Sequence, residues 1–182
     1  MTFEEIISDL KKKIYAPVYV LSGDEPYFID QIADYIEKNV LSESEKEFNE
    51  SILYGKDLDI PTLIGYAKRY PMMSNYQVVI VKEAQSLKGF LAKDSADSDK
   101  RDLFLEYIQN PLPSTLLVIC YKYKSIDKRT KLHKILQKQA VIFESKRLYD
   151  DKIPGWIESL VQRNGYTIEP KALQMMANYL GN

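Results

Sequence analysis

The run from Pro17 to Asp30, PVYVLSGDEPYFID, decides the fold. Val18, Tyr19, Val20 and Leu21 are apolar without alternation, the pattern of a strand buried on both faces, and Gly23 ends it. Asp24, Glu25 and Pro26 are residue types favoured where a helix begins. Ile29, Ile32, Ala33 and Ile36 then recur at helical spacing. The unit is a buried strand, a tight turn and an amphipathic helix, the opening of an α/β sheet in which that turn is where phosphate would bind.

The turn lacks the chemistry for phosphate. A loop of the form G-x-x-x-x-G-K-[ST] holds phosphate with backbone N–H groups, a lysine and a hydroxyl that reaches magnesium. Gly23 supplies the first glycine, but Phe28, Ile29 and Asp30 stand where the second glycine, the lysine and the hydroxyl are needed. Pro26 has no N–H, and Asp24 and Glu25 repel an anion. A metal or acid–base role for Asp24 and Glu25 competes with a simpler one, interaction with the helix dipole, which we prefer. At the end of the strand in YQVVIVKEA, a nucleotide hydrolase needs an acidic pair, yet Lys82 precedes Glu83. The same lysine occupies the place of a receiver domain's phosphoacceptor aspartate. His133 and Cys120 are the single histidine and cysteine. Neither has a partner at metal-ligand or nucleophile spacing, and Cys120 sits in the apolar run TLLVICY. No catalytic residue, cofactor or metal is expected.

Outward from this unit, alternation continues. Thr2 and Glu5 form a capping box ahead of Phe3, Ile6, Ile7 and Leu10. FNESILYG reads as a strand, DIPTLIGYAKRY as a helix started by Asp59 and Pro61, and YQVVIVKEA as a β-branched strand. The polar insert KDSADSDKR reads as an exposed loop before a helix carrying Leu103, Phe104, Tyr107 and Ile108. STLLVICYK is a fourth strand, DKRTKLHKILQKQ a helix and AVIFES a fifth strand. The prediction is a five-stranded parallel sheet with helices on both faces, over residues 1–147. Ile153, Trp156, Ile157, Leu160 and Val161 then mark one helix face, and Ala172, Leu173, Met176, Ala177 and Leu180 another. Residues 148–182 are thus expected to begin a small all-α domain that is cut short, an expectation that the mass of the native gene product checks.

The 182 residues carry 25 Lys and Arg against 26 Asp and Glu, so no global positive field holds the chain on nucleic acid or an anionic membrane. No apolar stretch is long enough to span a bilayer, and the amino-terminal residues do not resemble a signal peptide, so no membrane partner is expected. A cytoplasmic setting suits the lone cysteine. In GYAKRYPMMSNYQVV, Met72 and Met73 stand at a connection where polar turn residues are usual. If Pro71 stops the helix carrying Lys68, Arg69 and Tyr70, the two methionines project from a fixed end, and flexible thioethers fit an irregular apolar pocket on a partner. Packing of one or both under the sheet is the alternative. In YKYKSIDKRTKLHK, Lys122, Lys124, Lys128, Arg129, Lys131 and Lys134 outnumber Asp127, with Tyr121 and Tyr123 interleaved. Contact with DNA phosphates and a subunit contact or solvated face are both open, the latter preferred.

The ordered stretches PVYVLSGDEPYFIDQIADYI, LYGKD and AKRYPMMSNYQVVIVKEAQSL resemble the N-terminal part of the delta subunits of bacterial DNA polymerase III clamp loaders. The resemblance runs from Pro17 to about Lys134 and continues more loosely through IPGWIESLVQRNGYTI. It implies an AAA+ (P-loop NTPase-like) first domain without a working phosphate loop, then a helical domain and a collar domain. It also implies a component of the DNA polymerase III holoenzyme with no catalysis of its own. Such a subunit binds the sliding clamp (the beta subunit) and opens its ring for loading onto primed DNA, beside the gamma/tau and delta prime subunits. Pro71, Met72 and Met73 fall where relatives use an apolar pair against the clamp. Those relatives have leucine followed by phenylalanine, so two methionines are a departure that keeps apolar character. The alternatives are a divergent nucleotide-dependent NTPase or transferase, and an adaptor of this fold without a replication role.

Overall fold

A computed structural model describes residues 1–90 and 98–180. The contacts divide the chain into two compact units, Met1–Ser145 and Lys146–Asn182. The first unit is a five-stranded, wholly parallel sheet in the order β2-β3-β4-β1-β5. Its strands are β1 (Val18–Gly23), β2 (Glu50–Tyr54), β3 (Gln77–Lys82), β4 (Thr115–Lys122) and β5 (Val141–Ser145). Its helices are α1 (Phe3–Lys11), α2 (Pro26–Asn39), α3 (Glu43–Asn49), α4 (Ile60–Ala67), α5 (Ser98–Gln109) and α6 (Lys131–Gln139). This is the five-stranded parallel α/β sheet that the alternation of strands and helices predicts.

Strand side chains point alternately to the two faces, and each face has its own core. Val18, Val20, Val79, Val81, Leu117 and Ile119 pack with residues of α4, α5 and α6. Tyr19, Leu21, Val78, Ile80, Leu116, Val118 and Cys120 pack with residues of α1 and α2. Strands covered on both sides need no polar alternation, which is why VYVL, VVIV and LLVIC are continuous apolar runs. Burial pushes the Cys120 thiol up to about 12, so it is a core residue and no thiolate nucleophile.

Several boundaries differ from the sequence reading. Phe48 and Asn49 are not strand residues. They end α3, a seven-residue helix started by a capping box between Ser42 and Glu45, too short to show an apolar period. The helix predicted over 59–70 stops at Ala67, so Lys68, Arg69 and Tyr70 lie outside it and Pro71 is not what ends it. The reason is tertiary, because side chains from β3, β4 and α5 take the last carbonyls of α4, as described below. α5 begins at Ser98, so Ser98–Arg101 are helical and not part of the predicted loop. The rest of that predicted loop lies outside the described residues. α6 begins only at Lys131 because the Thr130 hydroxyl caps it, accepting from the His133 N–H.

The second unit contains α7 (Ile153–Arg163) and α8 (Pro170–Leu180). Ile153, Ile157 and Ala177 form its buried centre, with Trp156, Val161, Ile168 and Leu173 packed around them. The apolar face predicted for α8 is largely unburied, since Ala172 and Met176 are exposed alongside Met175 and Tyr179. Among the described residues, no helix is long and apolar enough to cross a membrane.

Candidate functional site: an apolar tip and a filled phosphate turn

Residues 68–76 connect α4 to β3 at the end of the sheet where the parallel strands begin. The connection starts from a buried polar knot. The Ala67 carbonyl accepts from the Thr115 hydroxyl at 3.0 Å and from the Tyr107 hydroxyl at 3.3 Å. The Gln77 amide donates to the Arg69 carbonyl at 2.6 Å and to Thr115 Oγ1 at 2.7 Å. Carbonyls at a helix end that would otherwise be buried without partners are satisfied here, so the helix has a fixed end without a proline stop. Arg69 lies over the Tyr66 ring at 4.2 Å, a further tie back onto α4.

Beyond this knot the backbone is held while the side chains are not. The Met72 N–H donates to Asn49 Oδ1 at 2.6 Å, and Asn49 Nδ2 donates to the Met72 carbonyl at 2.9 Å. Met73 follows at φ 54°, a left-handed conformation uncommon for a side chain of its size. The Ser74 side chain then faces Glu45 of α3 and accepts from the Tyr76 N–H. Bonds from the Ser42 side chain and backbone, and then from Ser74, hold the Glu45 carboxyl down at about 2. Met72 is 62% exposed and Met73 is 102%, with Tyr70 also exposed and Pro71 half-buried. Of the two readings of the methionine pair, the structure therefore has the projecting one.

The turn after β1 lies at the opposite end of the sheet. Two of its backbone donors are engaged within the protein: Gly23 N–H to the Lys124 carbonyl at 2.9 Å, Asp24 N–H to the Ser145 carbonyl at 3.0 Å. The Tyr27 N–H donates to the Glu25 carboxylate at 3.0 Å. Glu25 is therefore a helix cap, the simpler of the two roles considered for it. Gly23 has φ +133°, and a Cβ there would lie 1.9 Å from the Ser145 carbonyl oxygen. The end of β5 thus fills the space over the turn. Phe28 packs edge-on against Phe3, Ile29 is fully buried, and Asp30 pairs with Lys122 at 2.6 Å. Lys82 pairs with Glu37 of α2 at 3.2 Å. Among the described residues no group of His, Cys, Asp and Glu gathers as a metal site.

The basic run does not form one patch. Lys122 turns to Asp30, Lys128 pairs with Glu144 at 2.7 Å, and Arg129 makes a two-point contact with Asp127. Lys124 and Lys131 line a separate cleft of about 640 Å³ with Phe90, Tyr121 and Leu132. The sequence reading missed Asn49 and Gln77, the two buried amides that organise the tip. Asn49 falls in the predicted strand FNESILYG, and a lone amide carries no periodic signal.

Comparison with known proteins points one way. The family model described as DNA polymerase III, delta subunit, matches residues 19–146. DNA polymerase III subunit delta of Bacillus subtilis is 30% identical over 170 residues, which are 93% of this chain and 49% of that protein. The solved structure of the Bacillus subtilis DNA clamp loader delta protein superposes with a TM-score of 0.75 at 25% identity, over 99% of this chain and 58% of that one. The chain thus spans about half the length of the curated relative it matches.

Proposed function

The chain belongs to the DNA polymerase III delta-subunit family, and from that premise we propose that it binds a sliding clamp through Met72 and Met73 and helps hold the ring open for loading onto primed DNA. The observation that carries this reading is the pairing of two exposed thioether side chains with a backbone that is tied down at Met72. An apolar side chain left in water by the free protein contributes about 1.5–3 kcal/mol when a partner buries it. Two adjacent ones on a fixed end meet the description of an interface anchor. Pro71 sets the approach of the chain to the pair. Opening then requires that the tip fit the open ring better than the closed one, because equal affinity for both would shift nothing.

The partners in this reading are the clamp's beta subunit, the gamma/tau and delta prime subunits, and DNA held by the whole assembly in the cytoplasm. Residues 1–147 act as an AAA+-like domain without triphosphate chemistry, and residues 148–182 belong to a helical lid domain. The engaged N–H groups of Gly23 and Asp24 support a role in binding rather than catalysis. Lys124 and Lys131 are the better placed of the basic residues for DNA or a neighbouring subunit, since Lys122, Lys128 and Arg129 face carboxylates.

Calorimetric titration of the chain with the cognate sliding clamp tests the reading. Saturable binding is expected, weakened at least tenfold by Met72→Ala with Met73→Ala while the circular dichroism spectrum stays unchanged. Equal affinity for the two proteins would remove the tip from the interface.

A further inference from the structure

We propose that Asn49 is the positioning residue of this tip, a side-chain clasp that presets the direction of Met72 and Met73 before the clamp arrives. The inference rests on the clamp-binding reading and adds to it a residue that need not touch the partner. Asn49 is only 4% exposed, and it lies 23 residues from Met72 at the end of α3. Its amide accepts from the N–H of Met72 and donates to the carbonyl of the same residue, at 2.6 Å and 2.9 Å. Nδ2 also lies 2.9 Å from the Glu45 carbonyl, which anchors the amide to its own helix. A side chain that bonds both backbone groups of one residue acts as a neighbouring strand would. It fixes the peptide planes on both sides of Met72, and with them the directions in which Met72 and Met73 leave the main chain.

A second contact comes from the same helix: the Ser74 side chain faces the Glu45 carboxylate and helps hold it low, so α3 meets the connection on both sides of Met73. Between these contacts Met73 keeps its left-handed backbone, a conformation that persists in bulky residues only where the surroundings hold it. Ordering one free loop residue at the moment of binding would weaken affinity by about tenfold. A clasp already closed in the unbound protein removes that loss. Residue 49 thereby controls affinity through the backbone of residue 72, while the apolar contact itself belongs to the methionines.

The test is a double-mutant cycle with the cognate sliding clamp, read by titration, together with amide hydrogen exchange in the free chain. Asn49→Leu keeps size and removes all three bonds. It is expected to weaken clamp binding about tenfold and to speed exchange at the Met72 amide, while β3 amides stay protected. Asn49→Asp retains an acceptor for the Met72 N–H and loses the donor to its carbonyl. It is expected to fall between wild type and the leucine variant, and it keeps the test open if Asn49→Leu fails to fold. In the Met72→Ala, Met73→Ala background, Asn49→Leu should cost less than twofold further. Full affinity in both Asn49 variants, with the double-alanine chain still impaired, overturns the clasp alone. Full affinity in the double-alanine chain overturns the tip and the clasp together. An equal loss from Asn49→Leu in both backgrounds shows a general packing defect and also overturns the clasp.

Discussion

The turn after β1 and the connection before β3 sit at opposite ends of one parallel sheet, and they treat backbone and side chains in opposite ways. At the turn, the N–H groups of Gly23 and Asp24 end in the protein's own carbonyls, and the side chains of Phe28 and Ile29 are packed away. Those two donors are turned inward, away from any phosphate. At the connection, the backbone of Met72 is bonded to Asn49 while both thioethers stand in solvent. The difference teaches that one fold can turn a loop's donors inward at one end and, at the other, bond a loop's backbone so that its apolar side chains stay in solvent. Both changes use the same resource, hydrogen bonds from loops to neighbouring elements.

The contrast can be broken most severely at Gly23. Gly23→Ala places a Cβ against the Ser145 carbonyl at a φ that L-residues rarely adopt, and about 3–5 kcal/mol of stability should be lost in urea unfolding. A loss below about 1 kcal/mol would mean that β5 does not close over the turn. Next in size are the tip residues taken singly. Met73→Ala should weaken clamp binding about tenfold and Met72→Ala several-fold, each with a thermal midpoint equal to wild type, since neither side chain is buried in the free chain. A drop in midpoint for either would make it a packing residue.

A smaller effect is expected at Glu50, the first residue of β2 after Asn49. Burial, and then Glu37, raise its carboxyl above the usual 4.5, and one of its oxygens is buried without a hydrogen-bond partner among the described residues. The folded protein therefore holds this proton more tightly than the unfolded chain, and the contribution of Glu50 to stability falls as pH rises above about 4.5. Glu50→Gln should gain about 0.5 kcal/mol at pH 7, and the gain should vanish below the unfolded carboxyl's range. A gain that persists at pH 3 would contradict this. The smallest expected effect is none: saturating Mg-ATP should leave the thermal midpoint unmoved, whereas a ligand at a hundred times its Kd would add about 2.7 kcal/mol.

Much of the sheet was legible because its signals are local. VYVL, VVIV and LLVIC are apolar without alternation, and Pro26, Asp59 and Pro61 punctuate helix starts, so strands and crossover helices follow from residue types alone. The failed phosphate turn was legible for the same reason, since Pro26 and the residues from Phe28 to Asp30 exclude the motif by residue type alone. What could not be read depends on contacts distant in sequence. α4 stops at Ala67 because Gln77, Tyr107 and Thr115 converge on its end from 10, 40 and 48 residues away. α3 lacks an apolar period, and only its capping box, Ser42 with Glu45, marked it. The methionine pair was visible as an anomaly, but its direction was set by Asn49, whose bond partner lies 23 residues on. The basic run YKYKSIDKRTKLHK looked like one patch because its acidic partners, Asp30 and Glu144, come from other elements.

Trp156 is the sole tryptophan of the chain, and it packs beside Ile153 and Ile157 in the second unit. Indole emission therefore reports on the packing of α7 in that unit. Tyr19, Tyr107 and Tyr121, packed in the first unit's two cores, are the chromophores that follow the sheet itself.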